Sequence, residues 1–233
     1  MIQPVIAIHG GAGAMSRAAM SPEKEQEYLS ALESILAAGQ AVLARGGSAL
    51  DAVTEAVRLL EDCPLFNAGH GAVFTSAGTH ELDAAIMDGA TLRSGAIANV
   101  NCVRNPVFAA RAVMETSKHV FFVGEGAEAF AKDAGLELVD PSYFSTEARR
   151  EQLLRVQRET PEAAVLDHDG QAMVARGQPA PADPLDSDKK FGTVGAVALD
   201  AQGNLAAATS TGGITNKPVS YTHLRAHETG RNL

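Results

Sequence analysis

Two runs of small and β-branched residues constrain most what this chain can build. They are ELDAAIMDGATLRSGAIANV, residues 81–100, and TVGAVALDAQGNLAAATST, residues 193–211. Each breaks in the middle at a turn signal, Asp88–Gly89 in the first and AQGN in the second. Two β-capable runs flanking Asp-Gly predict a hairpin. A third, shorter run, Val5 to Ile8, reads as a buried strand, and HVFFVG near residue 120 as another. Between the strands the apolar spacing turns helical. Ser21 caps a helix with Pro22 at its first position and acids in its first turn, and Arg45 with Gly46–Gly47 closes it. Leu29, Leu32, Ile35, Leu36, Val42 and Leu43 give it an apolar face. Ser48 caps a second helix to about Glu61, with Ala49, Val53, Val57 and Leu60 on one side. Further helical patterns follow Pro106, follow Glu125 and run through STEARREQLLRVQRE. Sheets of small residues flanked by helices predict a layered α+β sandwich. The Pro-rich, charged stretch around 160–190 reads as a mobile linker.

Composition narrows the function. The net charge is -9, with 5% aromatic residues and no Trp, and no basic run stands out. That profile argues against nucleic acid as a partner. No apolar run approaches a membrane span, and the start lacks a basic n-region, so the expected location is cytoplasmic. Cys63 and Cys102 form no CxxC pair and read as two reduced thiols or a single disulfide.

Several motifs could carry chemistry. HGGAGA, residues 9–14, would let a ligand approach the backbone closely, or would serve merely as a turn. Its spacing fits neither dinucleotide nor P-loop patterns, and MSRAAM separates it from the next helix cap, so nucleotide binding ranks last. His223 and His227 are four apart but lack the Glu of a zinc-protease helix, and there is no GxSxG elbow. Glu81 and Asp83 share a strand side and read as a solvated face rather than a catalytic pair. In FGTVG, Thr193 follows Gly192 at the end of the linker. A Thr freed at its amino end would hold a nucleophile and a base in one residue, its α-amine having a pKa near ~7.7–8.0. Such a break would arise by attack of the Thr193 hydroxyl on the Gly192 carbonyl, with no side chain at Gly192 to obstruct it. The same residues also suit the plain start of a strand.

Six segments in one order sharpen this. AIHGGAGA, LLEDCPLFNAGHGAVFT, ELDAAIMDG, GAIANV…VRNPVFAARAVME, FGTVGAVALD and AAATSTGGITNK together resemble the plant-type L-asparaginase / isoaspartyl peptidase family of N-terminal-nucleophile hydrolases, from about residue 3 to Lys217. The resemblance implies a four-layer αββα sandwich, incomplete in this chain. It implies self-cleavage into an α part, 1–192, and a β part beginning at Thr193, within one domain spanning 1–217. It implies hydrolysis of β-aspartyl dipeptides and L-asparagine. Thr193 would be the nucleophile and Thr211 would orient it. Gly10, Gly11, Asn67, Gly212 and Gly213 would support the site. Backbone carbonyls of Leu60, Glu61, Cys63, Phe66, Ala68 and His70 would wrap a structural sodium ion, with no cofactor needed for catalysis. A homodimer of αβ units is the expected assembly. A glycosylasparaginase-like amidase, or a non-catalytic fold, is the alternative.

The chain departs from the family after Lys217. The family continues with an oxyanion Thr-Gly pair and with an Arg and an Asp that would hold the substrate's carboxylate and ammonium. Here Tyr221 and Leu224 stand at those positions and Arg225 is out of place. Residues 218–233 read as a non-native tail on a shortened frame, and the 233-residue chain is expected neither to mature nor to turn over substrate.

Overall fold

The computed structural model describes residues 2–11, 21–159 and 192–217. The expected linker and the tail from 218 lie outside the described residues, as do His223 and His227. Elements follow the order β1 (Val5–His9), α1 (Pro22–Ala44), α2 (Ala49–Asp62), β2 (Leu82–Asp88), β3 (Arg93–Val100), α3 (Pro106–Thr116), β4 (Phe121–Val123), α4 (Gly124–Asp133), α5 (Glu147–Glu159), β5 (Val194–Leu199) and β6 (Leu205–Thr211). A 3₁₀ turn, Pro141–Phe144, that the apolar spacing does not announce precedes α5.

The local signals act as physical chemistry requires. The Ser21 hydroxyl accepts from the Lys24 N–H at the start of α1, and Ser48 does the same for the Asp51 N–H at the start of α2. Gly46, at φ 80°, ends α1. The apolar stripe of α2 is fully inside, with Val53, Val57 and Leu60 shut off from solvent. That of α1 is shallower: Ile35 and Leu43 are buried, while Leu29 is exposed, and α1 packs on α2 and on the edge strand β1. The Asp88 carboxylate ties off the first hairpin by accepting from the Ala90 N–H and the Thr91 hydroxyl.

The six strands form one sheet in the order β1-β5-β6-β2-β3-β4. All neighbours are antiparallel except β3 and β4. The two hairpins therefore lie side by side, β6 against β2, and the amino-terminal strand β1 closes on β5. Helix α2 covers β5 and β6, and α3 covers β2 and β3. Gly95 is the point of closest approach there. A Cβ on it would overlap the Ala110 carbonyl and stand 2.5 Å from the Met114 nitrogen. The core is the seam between these helices and the alternate residues Leu82, Ala84, Ile86, Ile97, Val194, Ala196, Ala206 and Ala208. On the other side of the sheet Val5, Met87, Phe121, Val197 and Leu205 stand exposed among the described residues.

Candidate functional site

The site assembles where β5 begins and β6 ends. Val194 pairs with Ser210, so the register carried one residue further sets Thr193 opposite Thr211. The Thr193 hydroxyl donates to Thr211 Oγ1 at 3.2 Å. Thr211 Oγ1 also accepts the Gly213 N–H at 3.0 Å. Two donors on one hydroxyl oxygen fill its lone pairs and leave its own proton to point elsewhere. On its other side Thr211 pairs with Asp83 of β2.

Asn67 holds this corner from the loop after α2. Its Nδ2 donates to the Gly213 carbonyl at 2.7 Å, and its Oδ1 accepts the Val73 N–H at 3.0 Å. Its own carbonyl accepts the Gly212 N–H at 3.1 Å. The glycines are required by these approaches. A Cβ on Gly192 would lie 2.5 Å from the Asn67 Cβ, and one on Gly212 would lie 2.5 Å from Asn67 Oδ1. Gly11, at φ 120°, leaves β1 directly over Gly192, 3.2 Å from its Cα to an added Cβ. Gly10 packs on Phe66 and Leu32 in the same way. The structure thus gathers Gly10, Gly11, Asn67, Gly192, Thr193, Thr211, Gly212 and Gly213, drawn from four separate stretches of sequence, around one peptide bond.

The loop from α2 to Asn67 has a second feature. The Glu61 carbonyl accepts the His70 N–H at 2.7 Å and the Cys63 carbonyl accepts the Phe66 N–H at 3.4 Å. Gly69 and Gly71, both at positive φ, press against the Glu61 carbonyl and against the Pro64 and Phe66 carbonyls. Carbonyl oxygens of Glu61, Pro64 and Phe66 thus lie close to these two glycines, and those of Glu61 and Cys63 each accept a backbone N–H. Among the described residues no group of three or more His, Cys, Asp or Glu side chains gathers to bind a metal. Cys63 and Cys102 are free thiols, and burial pushes both upward.

Two buried titratable side chains flank the site. The Glu61 side chain is fully enclosed, with Oε1 accepting the Val107 N–H at the start of α3 at 2.9 Å. Burial pushes this carboxyl up to about 8, against the opposing pull of Ser210, the Val107 N–H and Asn105. Lys217 is 0% exposed. Its Nζ donates to the carbonyls of Gly212 at 2.9 Å and Glu81 at 3.0 Å, and lies 3.5 Å from Glu81 Oε2. Burial pulls this ammonium below the ordinary lysine range, while the Asp83 and Glu81 carboxylates hold it back.

This corrects the reading of Glu81 and Asp83 as a solvated face. β2 is an inner strand, and residues 214–217 fold back over its start, with Ser76 donating its N–H to the Lys217 carbonyl. Both acids are half-buried; Asp83 Oδ1 accepts the Asn99 N–H at 2.8 Å. Sequence reasoning assigned Lys217 no part in the site, because a lysine reads as surface. The available signal was the acid pair itself, since two half-buried carboxylates at the start of an inner strand call for a cation.

Comparison with known proteins decides the family. Residues 2–220 match the asparaginase family. This chain belongs to that family. Over 217 residues it is 60% identical to an isoaspartyl peptidase of Escherichia coli, covering 93% of this chain and 63% of the relative. It is 50% identical to a putative isoaspartyl peptidase/L-asparaginase of Dictyostelium discoideum, covering 91% of this chain and 65% of the relative. An isoaspartyl peptidase/L-asparaginase of Xenopus laevis is 40% identical, with 94% and 62% covered. The chain spans a little under two thirds of the length of these curated relatives.

Proposed function

We propose that this member of the asparaginase family is the greater part of an amidohydrolase that activates itself by cutting ahead of Thr193 and then hydrolyses β-aspartyl dipeptides and L-asparagine. The observation that carries the reading is the Thr193–Thr211 hydroxyl contact beside Gly192, a glycine packed between Gly11 and Asn67. The relatives named above as isoaspartyl peptidases support the substrate class.

In the self-cut, the Thr193 hydroxyl oxygen attacks the Gly192 carbonyl carbon. The bond from that carbon to the Thr193 nitrogen breaks as the nitrogen takes the hydroxyl proton, leaving an ester. Water splits the ester into the Gly192 carboxylate and a Thr193 with free hydroxyl and α-amine. In turnover the α-amine takes the hydroxyl proton while the oxygen attacks the side-chain carbonyl of the aspartyl group. The proton passes to the departing amine, and water releases aspartate from the acyl-enzyme. Thr211, with both lone pairs occupied, is placed to give its own hydrogen bond toward the Thr193 amine.

The same reading places a sodium ion among the carbonyls of Leu60, Glu61, Cys63, Phe66, Ala68 and His70. A set of backbone carbonyl oxygens would suit a hard cation. Such an ion would brace the loop that carries Asn67 and take no part in bond making. A thermal midpoint that falls when sodium chloride is exchanged for choline chloride supports it; no change refutes it. The exposed apolar side of the sheet is the surface that the second sheet of a four-layer αββα sandwich would cover, built from the length of the relatives that this chain does not span. A dimer of αβ units comes with the reading from the family resemblance, and a cytoplasmic location from the sequence expectation.

The test is made on the full-length gene product. Two bands on a denaturing gel are expected, the smaller beginning at Thr193, together with release of aspartate from an isoaspartyl dipeptide. Thr193→Ala should stay whole and inert. Processing or turnover that survives Thr193→Ala refutes the proposal.

A further inference from the structure

Lys217 lies behind the reactive corner, one peptide away from it. Its ammonium donates to the Gly212 carbonyl at 2.9 Å, and the next atom along that amide, the Gly213 nitrogen, donates to Thr211 Oγ1 at 3.0 Å. The described residues contain no cis peptide, so the carbonyl and N–H of this amide point in opposite directions. Fixing the oxygen on Lys217 therefore aims the hydrogen at Thr211. Thr211 Oγ1 is in turn the acceptor for the Thr193 hydroxyl at 3.2 Å. The order of contacts is Lys217 ammonium, Gly212–Gly213 amide, Thr211 hydroxyl, Thr193 hydroxyl.

We infer that Lys217 is a positioning residue for the Thr193 chemistry, acting through the Gly212–Gly213 peptide on Thr211. The inference rests on the Thr193 reading above. Several features set Lys217 apart from an ordinary buried lysine. It is completely enclosed, and two of its contacts are backbone carbonyls at the two strand ends that frame the corner, Glu81 before β2 and Gly212 after β6. Its charge is matched by Glu81 Oε2 at 3.5 Å and by the nearby Asp83 carboxylate, so it has no need of the Gly212 carbonyl for neutralisation. The amide it holds can turn in no other way without loss. Asn67 already occupies the Gly212 N–H and the Gly213 carbonyl on either side of it, which leaves this one peptide unit to Lys217. A cation on the oxygen of an amide also polarises it, making the Gly213 N–H the stronger donor. Thr211 Oγ1 is then held with its lone pairs toward Thr193 and Gly213 in both the uncut and the cut protein.

The experiment uses the full-length gene product and an isoaspartyl dipeptide such as β-aspartyl-leucine. Lys217→Met combined with Glu81→Gln removes the cation together with the carboxylate 3.5 Å from it, while Asp83 keeps the Asn99 N–H on its Oδ1. The expected result is a kcat lower by about 10- to 100-fold with KM changed less than about twofold, the size of loss typical when a group that orients a catalytic residue is removed. Self-cleavage slows in parallel. Lys217→Arg, which keeps the charge and donors, regains a large part of kcat. A folded double variant with wild-type kcat and only a lower thermal midpoint overturns the inference, because that is what a purely structural lysine gives. An Arg variant no better than the Met variant overturns it too. Where the double variant is recovered only unfolded, Lys217→Gln combined with Glu81→Gln, which keeps a donor but no charge, decides: reduced kcat at constant KM supports positioning, and wild-type kcat refutes it. Thr193→Ala runs alongside; activity in that variant sinks the nucleophile reading itself, which separates the two failures.

Discussion

Asn67→Ala is the most informative single change, because one side chain satisfies two buried backbone groups at once. The Gly213 carbonyl accepts from Nδ2 at 2.7 Å and the Val73 N–H donates to Oδ1 at 3.0 Å. Asn67 itself is buried, so water has no ready access to either group. Each orphaned group costs about 1–3 kcal/mol, and the two together about 2–6 kcal/mol. With a denaturant slope of about 2 kcal/mol per molar urea, the midpoint should fall by about 1–3 M. The measurement is best made in a Thr193→Ala background, where the chain stays whole and only folding is read. In the parent background the same change should slow self-cleavage, because Gly192 packs on the Asn67 side chain and the Gly212–Gly213 turn hangs from it. A midpoint shift under about 0.3 M, or a full shift with undiminished cleavage, would refute the argument that Asn67 orders the reactive corner.

Three further outcomes are expected. Thr211→Val keeps the shape, removes the acceptor for Thr193 and Gly213, and should lower kcat by about 100-fold; a loss under threefold, measured by aspartate release, contradicts the site. Gly95→Ala forces a Cβ into the backbone of α3 and should cost about 1–3 kcal/mol, read as a thermal midpoint lower by about 2–12 °C; an unchanged midpoint disproves the close packing of β3 on α3. The third concerns pH. His80 is enclosed against Phe74, with Nδ1 near the Val73 carbonyl and Nε2 near Ser145 Oγ, and burial lowers it from 6.5 to about 4. The unfolded chain therefore binds more protons between those values. Stability from this group is complete above pH 6.5 and drains away as pH falls toward 4, by about 3 kcal/mol. His80→Gln should flatten urea midpoints over that window; an unaltered slope rules His80 out as its source.

Much of the fold could be read directly, and particular residues show why. Ser21 and Ser48 mark helix starts through a hydrogen bond to a residue three positions on, which is local and visible in a string of letters. The hairpin at Asp88 is equally local. The sheet order is not, since β1 meets β5 and β6 meets β2 across long stretches of chain. Alternation in alanine-rich strands also says little about which side is covered: Ala206 and Ala208 are buried while Ala207 is exposed. In the site, Thr193 is legible from the Gly192–Thr193 pair and strengthened by the family resemblance, Thr211 and Asn67 come from the resemblance alone, and the geometry brings the three together. Lys217 escaped notice because its value as a buried cation depends on Glu81 and Asp83, which are neighbours only once the segment after β6 folds back over β2.

The sheet order has a practical consequence for a protein cut ahead of Thr193. Strands β5 and β6 come from the downstream product, yet they lie between β1 and β2 of the upstream one. The two polypeptides would be interleaved like the threads of a single cloth. Separating them means tearing hydrogen-bonded seams on both sides of the hairpin and baring the α2 seam beneath it. The two products should therefore co-purify through every native column, melt in a single transition, and part only in denaturant. Neither piece should be replaceable by adding a fresh copy to the folded protein.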